Sequence, residues 1–270
     1  GKVRLYEDGV FPTPGGRARF VATEHRITAE SPSARFPLHL NSGRLRDQWH
    51  GMSRTGLVAR LYSHESEPML HMHKDDMARR QLADGDLVKV KSRRGDVVLK
   101  VLESATLRAG QCFVPMHWGA NATGGLGINV LLPADFDPYS KQPELKHAAV
   151  KVLKAELPWT LLAMAWLPAD SAQAAREALS ALMAQFPFAS CVPFSNNTPL
   201  GEPGRERVGV LLRAAAHEAP PDATVERIEA LMGLATTDTL RYADKKRGQR
   251  RAARLARHDD TTTLEGIVLA

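Results

Sequence analysis

The strongest constraint on the fold is a pair of short apolar segments on either side of a tight turn. Residues 87–91 alternate apolar side chains with lysine, residues 97–101 are mostly β-branched, and Gly95 lies in the turn between them. This pattern predicts a β-hairpin. Other short apolar runs, each bounded by turn residues, occur at 36–40, 69–72, 112–116 and 148–152. Several short strands at this spacing predict a compact β-barrel.

The second half of the chain predicts a smaller unit that contains both strands and helices. Residues 159–166, 208–215 and 264–270 are apolar runs of strand length. Residues 222–232 predict a helix that ends before Gly233, because glycine is typical just after a helix C-terminus. Helices on one face of a sheet are the usual packing for such an order, so we expect an α/β unit of the α+β sandwich type.

Another helix is predicted directly after the first of these strands. Asp170 and Ser171 predict its N-cap, and its pattern continues to about Phe186. One face is apolar, and we expect it to pack in a core. The residues on that face are Ala175, Leu179, Leu182 and Met183.

Composition divides the chain into three parts. Residues 1–35 are rich in proline and glycine and predict a linker. Residues 36–156 hold the predicted barrel, and residues 157–270 hold the α/β unit, with the boundary near Pro158. The predicted fold class is therefore mostly β, with a barrel followed by a smaller α/β domain.

Positive charge is concentrated in one segment. The formal net charge is +6, but residues 241–257 hold eight basic residues against Asp244 alone, so the rest of the chain carries −1. This segment predicts either a helix or a strand and turn through Gly248. Its role is either that of a solvated surface or that of a docking surface for an acidic protein, and the sequence leaves both alternatives open. The composition argues against nucleic acid as the partner, because Tyr242 is the only aromatic residue in the segment.

The cysteine content favours a cytoplasmic location. Only Cys112 and Cys191 are present, too few for a disulfide framework or for an iron–sulfur or zinc cluster. A reducing cytoplasm is the simpler environment for such a chain, although one bridge between the two stays open. No stretch approaches the ~20 consecutive apolar residues that span a bilayer, so we expect no membrane association.

Two polar, glycine-rich loops are the candidate binding elements, at 41–56 and 117–129. Glycines permit tight turns and close approach of a ligand, and arginines suit phosphate or carboxylate oxygens. In the first loop these residues are Gly43, Gly51, Gly56, Arg44, Arg46 and Arg54. We predict a phosphate-bearing ligand, with a solvated surface loop as the alternative. His50 and His117 lack further ligands at recognisable spacing, so no metal site is predicted.

Three separated blocks of sequence, in the same order, resemble a known family. They are residues 42–44 with 49–56, residues 115–122, and residues 137–150. Over residues 37–155 the chain resembles the molybdopterin-dinucleotide-binding domain of the dimethyl sulfoxide reductase superfamily, most closely that of bacterial assimilatory nitrate reductases. The resemblance implies a six-stranded double-psi β-barrel. Residues 4–20 resemble the tail of a preceding domain, which implies that the chain is the C-terminal piece of a longer subunit.

The resemblance also implies which residues contact the cofactor. Pyrophosphate takes backbone donors and guanidinium groups, whereas a pterin edge takes a mixed set of donors and acceptors. The implied cofactor-binding residues are Ser42, Gly43, Arg44, His50, Met52, Ser53, Arg54, Trp118, Asn129 and Lys146. Relatives commonly have threonine at the position of Ser53, and the hydroxyl is kept.

The function implied by the resemblance is the binding of one cofactor arm in a molybdenum-dependent nitrate reductase, which reduces nitrate to nitrite. The parent cofactor is molybdenum bis(molybdopterin guanine dinucleotide). In the family, the cysteines of a [4Fe–4S] cluster and the residue that ligates molybdenum lie upstream, and this chain has no C-x-x-C pattern. We therefore assign no catalytic residue and expect the fragment alone to be inactive.

Other functions and partners stay open. The parent is alternatively a formate dehydrogenase or a periplasmic nitrate reductase, or the chain is a non-enzymatic barrel module with a basic docking arm. The expected partners are upstream domains of the same subunit and an acidic electron donor, such as a ferredoxin, a flavodoxin or a reductase subunit.

Overall fold

The first structural unit is a closed six-stranded barrel. The computed structural model describes residues 4–197, 206–244, 246–258 and 260–270, so residues 1–3 of the predicted linker and Lys245 of the basic segment lie outside the described residues. The barrel strands are β1 (Leu38–Gly43), β2 (Met69–Met72), β3 (Leu87–Lys91), β4 (Asp96–Glu103), β5 (Gln111–Pro115) and β6 (Ala148–Lys154). A short helix, α1 (Lys74–Ala78), follows β2.

The barrel closes in the order β1-β5-β2-β4-β3-β6. The pairs β1–β5 and β2–β4 are parallel, and the other four pairs are antiparallel. In β3, Val88 and Val90 are buried in the core while Lys89 and Lys91 are exposed, as the alternation of that segment requires. The predicted barrel is confirmed.

Strand β1 is longer than the sequence predicts. The apolar run ends at Leu40, but residues 41–43 continue the strand because they pair with β5, with Ser42 opposite Val114 and Gly43 opposite Pro115. Ser42 and Gly43 were expected in a loop and instead lie in the strand. Tertiary pairing has overridden a polar local sequence here.

The second unit is an antiparallel sheet in the order β10-β11-β12-β7-β9-β8. Its strands are β7 (Trp159–Pro168), β8 (Phe188–Asn197), β9 (Arg207–Ala216), β10 (Leu240–Asp244), β11 (Gln249–His258) and β12 (Thr261–Leu269). Two helices, α2 (Ala169–Met183) and α3 (Asp222–Leu231), complete the unit. A smaller α/β unit after the barrel is confirmed, although β8 was not located from sequence.

The start and end of α2 differ from the prediction, and the helix ends at Met183 rather than at about Phe186. Its N-cap is Pro168, and Asp170 lies in the first turn, where its charge suits the helix dipole. Ser171 does not cap the helix, because its hydroxyl donates to the Pro168 carbonyl at 3.1 Å. The predicted core face is confirmed for Ala175, Leu179 and Met183, which are buried, while Leu182 is partly buried. No helix in the described ranges is long and apolar enough to cross a membrane.

The second sheet lies between its own helices and the barrel. Leu161, Ala163 and Ala165 of β7 belong to the core that includes the buried faces of α2 and α3. Leu162 and Met164, on the opposite face of the strand, pack against the barrel core. The two units are therefore in direct apolar contact.

The basic segment forms a hairpin. Strands β10 and β11 pair antiparallel around a turn in which Gly248 has φ +63°. Of the two predicted alternatives, strand and turn is therefore confirmed and the helix is wrong.

Both cysteines are free and buried. Cys112 belongs to the barrel core and Cys191 to the core beneath α2. Burial raises the pKa of both thiols, that of Cys191 to about 12, with a smaller opposing effect of Arg176 on Cys191. Neither thiol is therefore ionised near neutral pH, and the bridge left open by the sequence does not form.

Candidate functional site

The C-terminal end of β1 joins three segments of the chain. The Ser42 hydroxyl donates to the Leu145 carbonyl, and the Lys146 ammonium donates to the Ser42 carbonyl at 2.7 Å. The Gly43 carbonyl accepts from the Met116 backbone N–H at 2.7 Å. The start of the first loop, the start of the second and the segment before β6 are therefore held together at one point.

Gly43 has no room for a side chain at this junction. A Cβ at that position would lie 2.7 Å from Cε2 of Phe113, and the Lys146 ammonium nitrogen would be 3.8 Å away. Only glycine allows the strand to end this close to an aromatic ring and a cation. Gly43 is itself buried, so the close approach seen here is between strand β1 and Phe113, and a ligand contact at Gly43 stays a prediction.

A cluster of exposed cationic and aromatic groups follows directly. The guanidinium carbon of Arg44 lies 5.7 Å from the Trp49 ring centroid, a cation–π distance. The Trp49 and His50 rings meet edge to face at 5.0 Å. All three side chains are exposed, which is uncommon for tryptophan and suits a surface that binds a flat or anionic group.

The backbone of residues 50–52 is left-handed throughout. His50, Gly51 and Met52 have φ of +44°, +62° and +64°. Non-glycine residues in this region cost roughly 1–2 kcal/mol each, and such strain occurs preferentially at ligand sites. The Tyr62 hydroxyl contacts Met52 Sδ at 3.6 Å and donates to the Gly56 carbonyl at 3.2 Å, so it supports the strained turn from below.

Buried polar atoms without a protein partner lie beneath these loops. Within the described residues, Nε2 of His117, Nε1 of Trp118 and Oε1 of Gln48 are buried without a hydrogen-bond partner. Burial, and then the positive charge of Arg44, lower the pKa of His117 below its ordinary value, so the imidazole is neutral at pH 7. Buried polar groups normally have a partner, so these atoms are available to bond water or a ligand.

The structure does not bring all predicted site residues together. Ser53, Arg54 and Asn129 are exposed, and their side chains form no hydrogen bond or ion pair within the described part of the chain. Trp118 is fully buried against Tyr62, with ring centroids 6.2 Å apart, so its ring is a core element. Contacts to a cofactor from these four residues, and from the other predicted site residues, stay predictions.

The second unit braces both loops. The Arg176 guanidinium of α2 donates to the Gly56 carbonyl at 3.1 Å, so that carbonyl accepts from Tyr62 and Arg176 together. Strand β8 donates from Cys191 N to the Ala122 carbonyl at 3.0 Å. Sequence reasoning missed these residues, because Arg176 is 120 residues away from Gly56 and lies in an ordinary helical pattern.

Replacing Arg176 with methionine is expected to loosen the first loop without unfolding the protein. The bond to Gly56 contributes about 1 kcal/mol, so the amides of Leu57 and Val58 should exchange hydrogen several-fold faster. Hydrogen–deuterium exchange resolved by mass spectrometry measures this. Arg227→Met on α3, an exposed helical arginine, is the matched control and should leave exchange in the loop unchanged. Equal exchange in both variants would mean that Arg176 does not hold the loop.

The chain matches one protein family and several known proteins. Residues 38–149 match the molydopterin dinucleotide binding domain family. A nitrate reductase of Klebsiella oxytoca is 41% identical over 154 residues, which cover 57% of this chain and 16% of that protein. A nitrate reductase of Synechocystis sp. is 40% identical over 149 residues, covering 55% and 21%. The F420-dependent formate dehydrogenase subunit alpha of Methanocaldococcus jannaschii is 34% identical over 143 residues, covering 53% and 20%.

Among solved structures, acetylene hydratase from Pelobacter acetylenicus aligns with a TM-score of 0.38 at 20% identity, over 44% of this chain and 18% of that chain. The sequence relatives are much longer than the matched region, since the chain spans only about a fifth of their length.

The barrel has two glycine-rich loops at one end, the first of which bears arginines, and the family model covers nearly all of its strands, so the barrel is a cofactor-binding domain. Residues 38–149 belong to the molydopterin dinucleotide-binding domain family, and the barrel corresponds to the C-terminal domain of molybdopterin oxidoreductases.

The residues present fit such a dinucleotide. Arg44 offers an exposed guanidinium for phosphate, and the unpartnered atoms of His117 and Gln48 supply neutral hydrogen-bonding groups of the kind a pterin edge takes.

Proposed function

We propose that the chain is the cofactor-binding C-terminal portion of a molybdenum-dependent nitrate reductase that reduces nitrate to nitrite. The observation that carries this proposal is the junction at the end of β1, where Ser42, Gly43 and Lys146 fix the loops of a matched dinucleotide-binding domain. The identity of about 40% to nitrate reductases of two organisms supports the substrate. When bound, the molybdenum cofactor supplies the two-electron chemistry of the reaction.

In this proposal the chain binds the dinucleotide cofactor and orients it. The Arg44 guanidinium pairs with a phosphate, and the strained turn at residues 50–52 presents backbone and imidazole to the dinucleotide. His117 stays neutral, because its lowered pKa removes a second positive charge from beneath the loop. Neutral hydrogen bonding there suits a pterin rather than another phosphate.

We further propose that the parent carries molybdenum bis(molybdopterin guanine dinucleotide), of which this domain holds one arm, and a [4Fe–4S] cluster in upstream domains of the same subunit. Nitrate assimilation in the cytoplasm is part of the same proposal. The low cysteine content and the resemblance to assimilatory enzymes support it.

Replacing Arg44 with alanine in the cofactor-loaded protein is expected to weaken retention of the dinucleotide about tenfold, because one charge-assisted hydrogen bond to phosphate is lost. Guanine nucleotide and molybdenum released per chain, measured by mass spectrometry, report retention independently of activity.

The matched control is Arg46→Ala. Arg46 is two residues away, and its guanidinium is already paired with Asp47 at 2.9 Å, so cofactor content should not change. A protein that contains no molybdenum, and whose Arg44→Ala variant keeps full activity, would overturn the proposal.

A formate dehydrogenase is the second candidate, because the formate dehydrogenase subunit alpha of M. jannaschii is 34% identical over much of the same region. Assays of the cofactor-loaded protein with nitrate and reduced dye, and separately with formate and oxidised dye, distinguish the two. Oxidation of formate without reduction of nitrate would replace the first proposal with the second.

A further inference from the structure

A cavity of about 890 Å³ lies between the barrel and the second sheet, away from the candidate cofactor site. The barrel contributes part of its β3–β4 hairpin, and the sheet contributes β7, β9 and the turn of the basic hairpin. Among the residues that line it are Leu87, Lys100, Trp159, Arg213, Arg247 and Arg251. The cavity is an open groove with an apolar floor, a form that suits part of a larger partner.

The charge of the groove is positive. Among the described residues that line it, four carry cationic side chains, Lys100, Arg213, Arg247 and Arg251, and none is Asp or Glu. Buried Glu67 lies behind the lining and offsets Lys100 and Arg213, at 2.8 and 3.6 Å. The groove therefore attracts carboxylates chiefly through its two remaining arginines.

Those two arginines are largely free of internal partners. Arg247 is 76% exposed and reaches Asp244 only at 3.9 Å. Arg251 stacks over the Tyr242 ring at 5.7 Å, donates to the Gln249 side-chain oxygen at 3.3 Å and forms no ion pair with any residue that the structure describes. Both guanidinium groups can therefore pair with an incoming carboxylate.

The sheet face beside the groove is apolar and exposed. Tyr242 pairs with Arg251, and Arg251 with Leu269, which places all three on one face; Leu240, two residues from Tyr242, lies on the same side. Leu240 is 63% exposed and Tyr242 53%. Large apolar residues exposed next to arginine are typical of protein interfaces.

Two other arginines of β11, Arg250 and Arg254, point to the opposite face and serve the fold, whereas exposed Arg257 lies on the same face as Arg251 but outside the groove. Arg250 pairs with Glu229 of α3 at 2.7 Å, and Arg254 pairs with Glu265 at 2.9 Å. Strand alternation thus divides the basic segment into a structural row and a groove row. Of the described cations in residues 241–257, Arg247 and Arg251 are the ones that line the groove.

We propose that the groove and the adjoining face of β10 bind an acidic segment of a partner protein, one that carries an apolar side chain among its carboxylates. Charge complementarity sets the sign of the partner, and the exposed Leu240 and Tyr242 extend the site beyond what a small ligand covers. The inference does not depend on the reaction of the parent protein.

The test uses the 270-residue chain and a short fluorescein-labelled peptide of alternating Glu and Leu, with binding followed by fluorescence anisotropy. Arg247→Glu combined with Arg251→Glu is expected to weaken binding about tenfold or more, and added salt should weaken binding to the unaltered chain. A peptide of Glu alone should bind less tightly, because it cannot use the apolar face.

The matched control is Lys74→Glu combined with Arg108→Glu, which makes the same change of charge on exposed residues outside the groove. Thermal unfolding checks that both variants remain folded. The proposal is overturned if the control weakens binding equally, if a Lys–Leu peptide binds as well, or if inorganic pyrophosphate displaces the peptide. Self-association abolished by the groove variant, measured by sedimentation, would instead assign this face to a second copy and also overturn it.

Discussion

Substitution of Gly127 by alanine is expected to lower the free energy of unfolding by roughly 3 kcal/mol and to displace the second loop of the site. Gly127 has φ +72° and ψ −178°, a region that is nearly exclusive to glycine. A Cβ there would lie 2.8 Å from both the Gly119 Cα and the Trp118 carbonyl oxygen, which are backbone atoms that cannot rotate away. Urea denaturation followed by tryptophan fluorescence measures the loss.

Two neighbouring glycines separate the causes of this effect. Gly125 has φ +80° but open space around a Cβ, so its replacement by alanine should cost about 1 kcal/mol through conformation alone. Gly119 has open space and no positive φ, and its replacement should change stability by less than about 0.5 kcal/mol. If Gly127→Ala costs no more than Gly125→Ala, the close backbone contact is not what fixes the loop.

One hydrogen bond next to Gly127 closes the second loop of the site. The Ile128 N–H donates to the Trp118 carbonyl at 3.1 Å, so Gly127 closes the loop that carries His117. We expect Gly127→Ala to lose cofactor even under conditions in which the protein remains folded.

The sequence predicted those strands and helices whose buried face shows in the periodicity of their own residues. The β3–β4 hairpin could be read from its sequence because Val88 and Val90 face the core and Lys89 faces water. The face of α2 was predicted for the same reason. Strand β8 was not located: it contains Pro193 and a register shift between Phe194 and Asn196, both of which interrupt a strand pattern.

The candidate site was predictable only in part, because its residues are fixed by contacts between distant segments. The motif around Ser42 and Arg44 identified the first loop. Nothing local indicated that Lys146 donates to Ser42 across 104 residues, or that Trp118 packs into the core while its neighbour His117 lies near Arg44. The periodicity of apolar residues indicates which face of a strand or helix is buried. It does not indicate which distant loop contacts that element.

A buried carboxylate lies at the contact between the barrel and the second sheet. Glu67 is 4% exposed and lies between Lys100 of β4 in the barrel and Arg213 of β9 in the second sheet. Its carboxylate is 2.8 Å from the lysine nitrogen and 3.6 Å from the guanidinium. Two cations from different units therefore share one buried anion, which joins the units electrostatically.

Substitution of Glu67 by glutamine is expected to lower the free energy of unfolding by about 3 kcal/mol. The shape of the side chain is kept, but two partly buried cations remain side by side without an anion. The value lies at the lower end for a broken buried pair, because Lys100 and Arg213 side chains keep about a quarter of their exposure, 26% and 24%. Urea denaturation measures the change.

A double-mutant cycle identifies the source of that loss. Arg213→Met removes one of the two cations, so in combination with Glu67→Gln it should recover part of the stability. Lys154→Met is the matched control: it breaks the more exposed pair with Asp86, at 2.9 Å, and should cost no more than about 1 kcal/mol. Strictly additive losses, or a Glu67→Gln cost as small as that of the control, would show that the buried carboxylate does not join the barrel to the second sheet.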